Sequence, residues 1–109
     1  MLELLKPPKS MPQSEESERA VLAAVLLDPR LLPSVSGRLK AEDFHAERHR
    51  LIYGVMLELQ ENQVSIDLRT VQAKLEQKAA LESAGGLAYL AGLDGDLPGL
   101  GRFEHYVES

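Results

Sequence analysis

The sequence predicts an all-α fold, a compact bundle of five or six helices around one aliphatic core. Apolar residues recur along most of the 109 residues at spacings of three and four, which place side chains on one face of a helix. No segment alternates apolar and polar residues as a half-buried strand does. Apolar residues make up 44% of the chain and aromatic residues only 5%. The core must therefore consist mainly of Leu, Val, Ile and Ala.

The first 13 residues are expected to form a flexible arm, and the helical domain is expected to occupy residues 14–109. Residues 1–12 contain three prolines, which lack the N–H group that a helix or a central strand needs. Such an arm is either unstructured or held to a neighbouring surface through Leu4 and Leu5. The sequence leaves both possibilities open.

The first helix is predicted over residues 14–27. Ser14 is a suitable N-cap, and Asp28-Pro29 ends the helix because a residue that precedes proline avoids the helical conformation. Three acids follow the cap, where they favour the positive end of the helix dipole: Glu15, Glu16 and Glu18. The apolar face consists of Val21, Leu22, Val25 and Leu26.

A short helix, a single turn and a long central helix are predicted next. Residues 31–39 have helical spacing and are expected to form a short helix that Pro33 and Gly37 break or frame. Residues 41–44 are expected to form one turn that buries Phe44. Residues 46–62 carry the strongest helical pattern, with charged residues on the opposite face. The apolar positions of this central helix are Leu51, Ile52, Val55, Met56 and Leu59.

Two further helices and the start of a third complete the predicted bundle. Asp67 is a suitable N-cap for a helix that runs to about residue 78. Gly85-Gly86 indicates a break in the backbone. The helix after this break is expected to have an apolar face of Leu87, Leu90 and Leu93. The last helix is expected to contain Phe103, Tyr106 and Val107.

Composition argues against several classes of protein. The twelve basic and seventeen acidic residues give a net charge of −5, which disfavours an autonomous nucleic-acid binder. The chain has no cysteine, and this excludes disulfides and thiolate metal sites. No apolar run approaches the ~18 residues that would span a bilayer. We therefore expect a cytoplasmic protein without a membrane partner.

The sequence contains no convincing catalytic, metal or cofactor site. His45 and His49 have the spacing of a helical metal-binding pair, but Ala46 replaces the glutamate of the metalloprotease motif and no third ligand is nominated. These histidines are expected to cap a helix or to lie at the edge of the core. Gly85-Gly86 lacks the Gly-Lys-Ser or Gly-Lys-Thr sequence of a phosphate loop. The chain is therefore not expected to be an enzyme by itself.

Tyr89 is the residue of greatest interest outside the predicted core. It lies ~200° around its helix from Leu87 and ~100° from Leu90, and so falls off the predicted apolar face. A partly exposed tyrosine is a good anchor for a partner protein, because it adds contact area at a small entropic cost. The alternative is that Tyr89 packs beneath the last helix, and the sequence does not decide between the two.

In their order and spacing, several short motifs resemble the N-terminal domain of the bacterial replicative DNA helicase family, DnaB. The resemblance covers about residues 12–109, although Ala23 stands where the family usually has glycine and the 94–102 connection is unusually rich in glycine. The matching motifs are Pro12-Gln13-Ser14, Val21-Leu22, Leu27-Asp28-Pro29, Asp43-Phe44, His49-Arg50, Ile52-Tyr53, Asp67-Leu68, Thr70-Val71, Gly85-Gly86 and Ala88-Tyr89-Leu90.

The resemblance implies a non-catalytic role. In this family the domain forms a collar, a trimer of dimers, above a hexameric motor ring, and it docks the helicase-binding domain of primase during DNA replication. ATP and magnesium would belong to the RecA-like motor domain, whose ATP-binding motif this chain lacks. DNA would be contacted only through the complete hexamer. No cofactor is expected in this domain.

The leading hypothesis is therefore a protein-interaction module of a helicase. Glu16, an exposed acid in the first helical turn, and Tyr89 are the residues expected to contact a partner. The alternative is a small helical DNA-binding domain that uses a basic face. The candidates for such a face are Arg48 and Arg50 on the central helix and Lys74 and Lys78 on the next one.

Overall fold

A computed structural model describes residues 14–95, which form five α-helices and two single 3-10 turns and contain no strand. The predicted N-terminal arm and the predicted last helix lie outside these residues. In chain order the α-helices are α1 (Glu15–Leu27), α2 (Leu32–Ser36), α3 (Glu47–Glu61), α4 (Leu68–Gln77) and α5 (Gly86–Gly95). The 3-10 turns are Pro29–Leu31 and Ala41–Asp43. The predicted all-α fold is confirmed.

Local capping signals place most helix boundaries where the sequence predicts them. The Ser14 side chain accepts a hydrogen bond from the Ser17 N–H at 3.1 Å, and α1 ends before Asp28. Asp67 caps α4 through a reciprocal pair of hydrogen bonds with Thr70, at 2.9 and 3.0 Å. The predicted helix over 31–39 is shorter than expected: a 3-10 turn leads into α2, which ends before Gly37.

Helix α3 is the centre of the bundle. It packs against α1, α4 and the Ala41–Asp43 turn, while α5 packs against α1 and α4. Phe44 is buried directly after that turn, as predicted. The Tyr53 hydroxyl of α3 donates to the Leu39 carbonyl at 2.9 Å, which fastens the preceding loop to the central helix. The largest fully buried aliphatic residues are Leu22, Leu32, Ile52, Met56, Leu75, Leu90 and Leu93.

Helix α5 buries a different face from the predicted one. Leu90 and Leu93 are fully buried, but Leu87 is 49% exposed, so its assignment to the apolar face is wrong. With about 100° of rotation per residue, Tyr89 lies about 40° around the helix from Leu93. On the other side of Leu93, Leu90 lies about 60° away and Leu87 about 120° away. The inner face is thus centred on Leu93, and it includes Tyr89.

Candidate partner interface

Glu18 is a buried acid that ties α1 to the beginning of α3. Its carboxylate accepts hydrogen bonds from the backbone N–H groups of His45, at 2.6 Å, and Ala46, at 3.3 Å. Ala46 is the N-cap residue of α3 and has no side-chain cap of its own. Glu18 therefore satisfies donors at this helix start from a distant part of the chain. The sequence places Glu18 at the α1 dipole but does not predict its burial.

His49 continues this network into the core. Its side chain is fully buried, and its Nδ1 lies 2.8 Å from a Glu18 carboxylate oxygen. On the other side of the ring, Nε2 lies 2.5 Å from the Tyr89 hydroxyl. In the tautomer whose Nδ1–H donates to the carboxylate of Glu18, Nε2 accepts a hydrogen bond from the Tyr89 hydroxyl. Glu18, His49 and Tyr89, here called the buried relay, thus connect α1, α3 and α5.

The pKa of Glu18 reflects this environment. Burial alone would raise the pKa of the carboxyl group. The hydrogen bonds from the His49 ring and from the His45 and Ala46 N–H groups outweigh that effect and hold the pKa below its ordinary value of 4.5. Glu18 is therefore ionised at neutral pH and acts as an acceptor for all three donors.

His45 and His49, the pair with the spacing of helical metal ligands, have different surroundings. His49 is a core residue of the buried relay, whereas the His45 side chain is exposed and only its backbone N–H contributes to the network. Within residues 14–95, no group of three or more His, Cys, Asp or Glu side chains is placed to hold a metal ion. Of the two histidines, His45 contributes a backbone N–H at the start of α3, and His49 contributes a side chain to the core.

The Tyr89 ring is half-buried between three other side chains. It stacks against the His49 ring, with centroids 5.9 Å apart and planes 26° apart. The guanidinium carbons of Arg48 and Arg19 lie 5.1 and 5.6 Å from its centroid, within the range of cation–π attraction. Tyr89 therefore combines a tethered hydroxyl with a partly exposed ring beside two cations.

Glycine residues determine how closely the chain approaches this ring. Gly85 and Gly86 have φ angles of +107° and +84°, so the predicted backbone break is confirmed. A Cβ atom at Gly85 would lie 2.8 Å from the Cβ, Cγ and Cδ2 atoms of Tyr89. At Gly86 the nearest non-neighbouring atom of residues 14–95 to such a Cβ would be a Glu82 carboxylate oxygen at 3.9 Å. The backbone at Gly85 therefore packs closely against the Tyr89 side chain and leaves no room for a Cβ atom.

Charged residues of α1 and α3 surround the exposed part of the site. Glu15 forms an ion pair with Arg48, whose guanidinium also lies over the Tyr89 ring. Glu16 follows Glu15 in the first turn of α1, and its side chain is exposed. Of the two acids, Glu15 is therefore the one that the structure links to Tyr89. The sequence prediction names Glu16 and does not identify Glu15 and Arg48 as a connected pair.

The predicted basic residues are largely engaged with other groups. Lys74 of α4 and Lys78, the C-cap residue of α4, lie 3.8 and 2.8 Å from the carboxylate of Glu58 on α3. Arg50 donates to two backbone carbonyl groups in the segment before α3. This part of the surface consists of paired charges, an arrangement typical of a solvated helix face. None of the helices in residues 14–95 is long and apolar enough to cross a bilayer.

Comparisons with known proteins agree with the fold. A family model described as the DnaB-like helicase N terminal domain matches residues 10–109. The replicative DNA helicase DnaB of Geobacillus stearothermophilus is 41% identical over 96 residues, and the replicative DNA helicase DnaC of Bacillus subtilis is 36% identical over 97 residues. These alignments cover 88% and 89% of this chain and 21% of each helicase. The chain thus spans about a fifth of the length of these relatives.

A solved structure supports the same relationship. The crystal structure of the N-terminal domain of DnaB helicase from Mycobacterium tuberculosis aligns with a TM-score of 0.75 and 32% identity. The alignment covers 80% of this chain and 60% of that chain. The family-model match, the sequence relatives and the shared helical fold lead to one conclusion. The chain belongs to the family of DnaB-like helicase N-terminal domains.

Proposed function

We propose that this chain is the non-catalytic collar domain of a hexameric replicative DNA helicase, and that it contributes to subunit assembly and docks primase. The family relationship supports the helicase context. The surface around Tyr89 supports a docking role, because a half-buried aromatic ring beside a charged rim is typical of residues that anchor a protein interface. Under this proposal ATP and magnesium bind the motor domain, this domain takes no cofactor, and the helicase acts in the cytoplasm.

Primase docking can be tested by titrating the helicase-binding domain of the cognate primase into the intact helicase. Tyr89→Ala is expected to weaken binding by about tenfold or more, because truncating an aromatic anchor costs about 2 kcal/mol. Glu16→Ala is expected to weaken binding by a few-fold, as a charge at the rim of an interface contributes less. Glu61→Ala removes another exposed acid at the far end of α3 and serves as the control.

Unchanged affinity in the double variant Glu16→Ala/Tyr89→Ala would contradict this docking surface. A parallel titration with single- and double-stranded DNA at low salt tests the DNA-binding alternative. The proposal predicts little binding to the 109-residue chain, whose net charge is −5. Tight binding that weakens steeply as salt is added would favour the alternative instead.

The assembly role requires a separate measurement. Deleting this domain from the intact helicase is expected to shift the subunit–hexamer equilibrium toward smaller species, because contacts in the collar are lost. Sedimentation velocity over a range of protein concentrations measures this shift. A ring that remains intact at all concentrations would show that the domain is dispensable for assembly.

A further inference from the structure

We infer that Glu18, His49 and Gly85 are positioning residues that hold the Tyr89 ring in one orientation before a partner arrives. This inference rests on the proposed docking function, since it concerns the way in which that surface is prepared. None of the three residues needs to touch the partner. Their role is to restrict the conformations of a side chain that does.

The hydroxyl end of Tyr89 is fixed by the buried relay. The hydroxyl lies 2.5 Å from Nε2 of His49, a histidine with no exposed surface. That histidine is held in turn by Glu18, and Glu18 is held by two backbone N–H groups at the start of α3. The hydroxyl is thus tied to the bundle by a chain of hydrogen bonds.

The base of the side chain is fixed by Gly85. The positive φ of this glycine brings the backbone so close to Tyr89 that a Cβ atom would overlap the Cβ and Cγ atoms of the tyrosine. Those atoms are near the main chain of α5 and cannot swing aside as the tip of a flexible side chain can. The hydroxyl contact therefore restricts χ1, because the hydroxyl oxygen lies on the χ2 axis and moves only when χ1 changes. The close approach of Gly85 to Cδ2 and the stacked His49 ring restrict χ2.

The flanking arginines benefit from this arrangement. A ring held in one orientation offers its face to the guanidinium groups of Arg48 and Arg19, and Arg48 is also fixed by its ion pair with Glu15. An anchor that is already ordered loses less conformational entropy on binding, which increases affinity without any new contact. The buried relay is thus expected to contribute to partner affinity through preorganisation.

The first test removes the tether and keeps the ring. Tyr89→Phe in the intact helicase is expected to weaken binding of the primase helicase-binding domain by about fivefold, the effect of freeing one side chain that must be ordered again on binding. Tyr53→Phe is the matched control: it deletes a buried hydroxyl on α3 that donates to the Leu39 carbonyl and is not part of the buried relay. This control should lower stability without altering affinity.

A double-mutant cycle tests whether His49 acts through that hydroxyl. His49→Gln is expected to weaken binding by itself but to have little further effect when combined with Tyr89→Phe, because both changes break the same link. Nitrogen-15 shifts of the His49 ring provide a readout that does not depend on the partner. They should show the Nδ1–H tautomer in the original chain and a change at Nε2 in Tyr89→Phe.

The third test compares two adjacent glycines. Gly85→Ala and Gly86→Ala both place a side chain at positive φ and should both be destabilised for that reason. Only Gly85→Ala also pushes against Tyr89. We therefore expect Gly85→Ala to weaken partner binding by about fivefold and Gly86→Ala to leave it nearly unchanged. Circular dichroism of the 109-residue variants verifies that both remain helical.

The outcomes separate this inference from the proposed function. If Tyr89→Ala weakens binding but Tyr89→Phe and Gly85→Ala do not, the docking surface stands and the positioning role is overturned. If Tyr89→Ala also has no effect, the docking surface itself is wrong, and the positioning role falls with it. Equal losses of affinity in Tyr89→Phe and Tyr53→Phe would show a general effect of stability, which likewise overturns the positioning role.

Discussion

At the scale of single residues, Glu18 links the pH to the stability of the fold. Its carboxylate is fully buried, and three donors hold its pKa below the ordinary value of 4.5. A group with a depressed folded-state pKa stabilises the protein above its unfolded-state pKa. This contribution is lost as the pH falls through the lower, folded-state pKa. Acid should therefore loosen the junction of α1, α3 and α5.

Glu18→Gln tests this coupling. We expect the substitution to lower the free energy of unfolding by about 3 kcal/mol near neutral pH, since it replaces a buried charge that satisfies three donors. The difference from the original chain should begin to shrink as the pH falls below about 4.5, where Glu18 of the unfolded chain becomes protonated, and should disappear below the lower folded-state pKa. Urea titrations at about pH 7 and pH 3 measure both quantities.

Glu16→Gln is the control for this experiment. Glu16 lies two residues away on the same helix, and its side chain is exposed. Its substitution should change the free energy of unfolding by less than about 0.5 kcal/mol at either pH. A Glu18→Gln deficit that stays constant down to about pH 3 would contradict the ionised, hydrogen-bonded state assigned to this residue.

At the scale of helices, α3 and α4 end in the same way. After each helix, a residue other than glycine adopts the left-handed conformation: Gln63 with φ of 58° and Ala79 with φ of 57°. Both ends form the two hydrogen bonds of a Schellman motif. The outer bond of the motif joins the Val64 N–H to the Leu59 carbonyl in α3 and the Ala80 N–H to the Leu75 carbonyl in α4. These positions are ones that glycine occupies with less strain.

Ala79→Gly and Gln63→Gly are therefore expected to stabilise the protein. Each should raise the free energy of unfolding by about 0.5–1 kcal/mol, because relief of left-handed strain exceeds the added entropy of the unfolded chain. Thermal unfolding of the single variants measures the gain. Ala73→Gly, an exposed position inside α4, is the matched control and should lose about 1 kcal/mol instead. Destabilisation by Ala79→Gly would contradict the strained cap.

The helix start at Asp67 gives a complementary prediction. Asp67 and Thr70 exchange two hydrogen bonds, each satisfying a backbone N–H group that would otherwise have no partner in the helix. Asp67→Ala should therefore cost about 1 kcal/mol of stability, and Asp67→Asn or Asp67→Ser should recover most of that loss. Equal stability of the Ala and Ser variants in urea titrations would contradict the role of this cap.

These helix ends show which features a sequence reveals. Ser14, Asp67 and Asp28-Pro29 act within four residues, so their effect on α1 and α4 is predictable from the local sequence. Glu18 acts on groups 27 to 31 residues away. Its burial depends on the packing of α1 against α3, and acids in a first helical turn are ordinarily exposed. A buried acid of this kind has no signature in the periodicity of the sequence.

In the candidate site, too, local features are predictable from the sequence, whereas those that depend on packing are not. Tyr89 is a candidate from the sequence because its position does not fit the expected apolar face. The structure shows that this face was itself misplaced, since the buried face is centred near Leu93 and Leu87 lies outside it. Three leucines at spacings of three satisfy a helical pattern even when one of them faces solvent. Only the packing of α5 on α1 and α4 decides which ones are buried.

At the scale of the whole molecule, the described helices are expected to unfold as one cooperative unit centred on α3. Helix α3 contacts α1 and α4, and α5 closes the arrangement by contacting the same two helices. Ile52 lies at the middle of α3 with no exposed surface, whereas Leu87 on α5 is 49% exposed. Loss of packing at Ile52 should therefore weaken every helix pair that depends on α3, and loss at Leu87 should be felt locally.

Ile52→Ala and Leu87→Ala test this architecture as a pair. Ile52→Ala is expected to lower the free energy of unfolding by about 3 kcal/mol through a cavity in the core, and Leu87→Ala by less than about 0.5 kcal/mol. The chain has three tyrosines and no tryptophan, so tyrosine fluorescence can be followed alongside far-ultraviolet circular dichroism. Tyr53 lies in α3 and Tyr89 in α5, so tyrosine fluorescence reports on both helices. The fluorescence and circular dichroism transitions should therefore coincide in both variants. Separate transitions in Ile52→Ala would mean that α5 unfolds independently, in which case α3 does not organise the whole bundle.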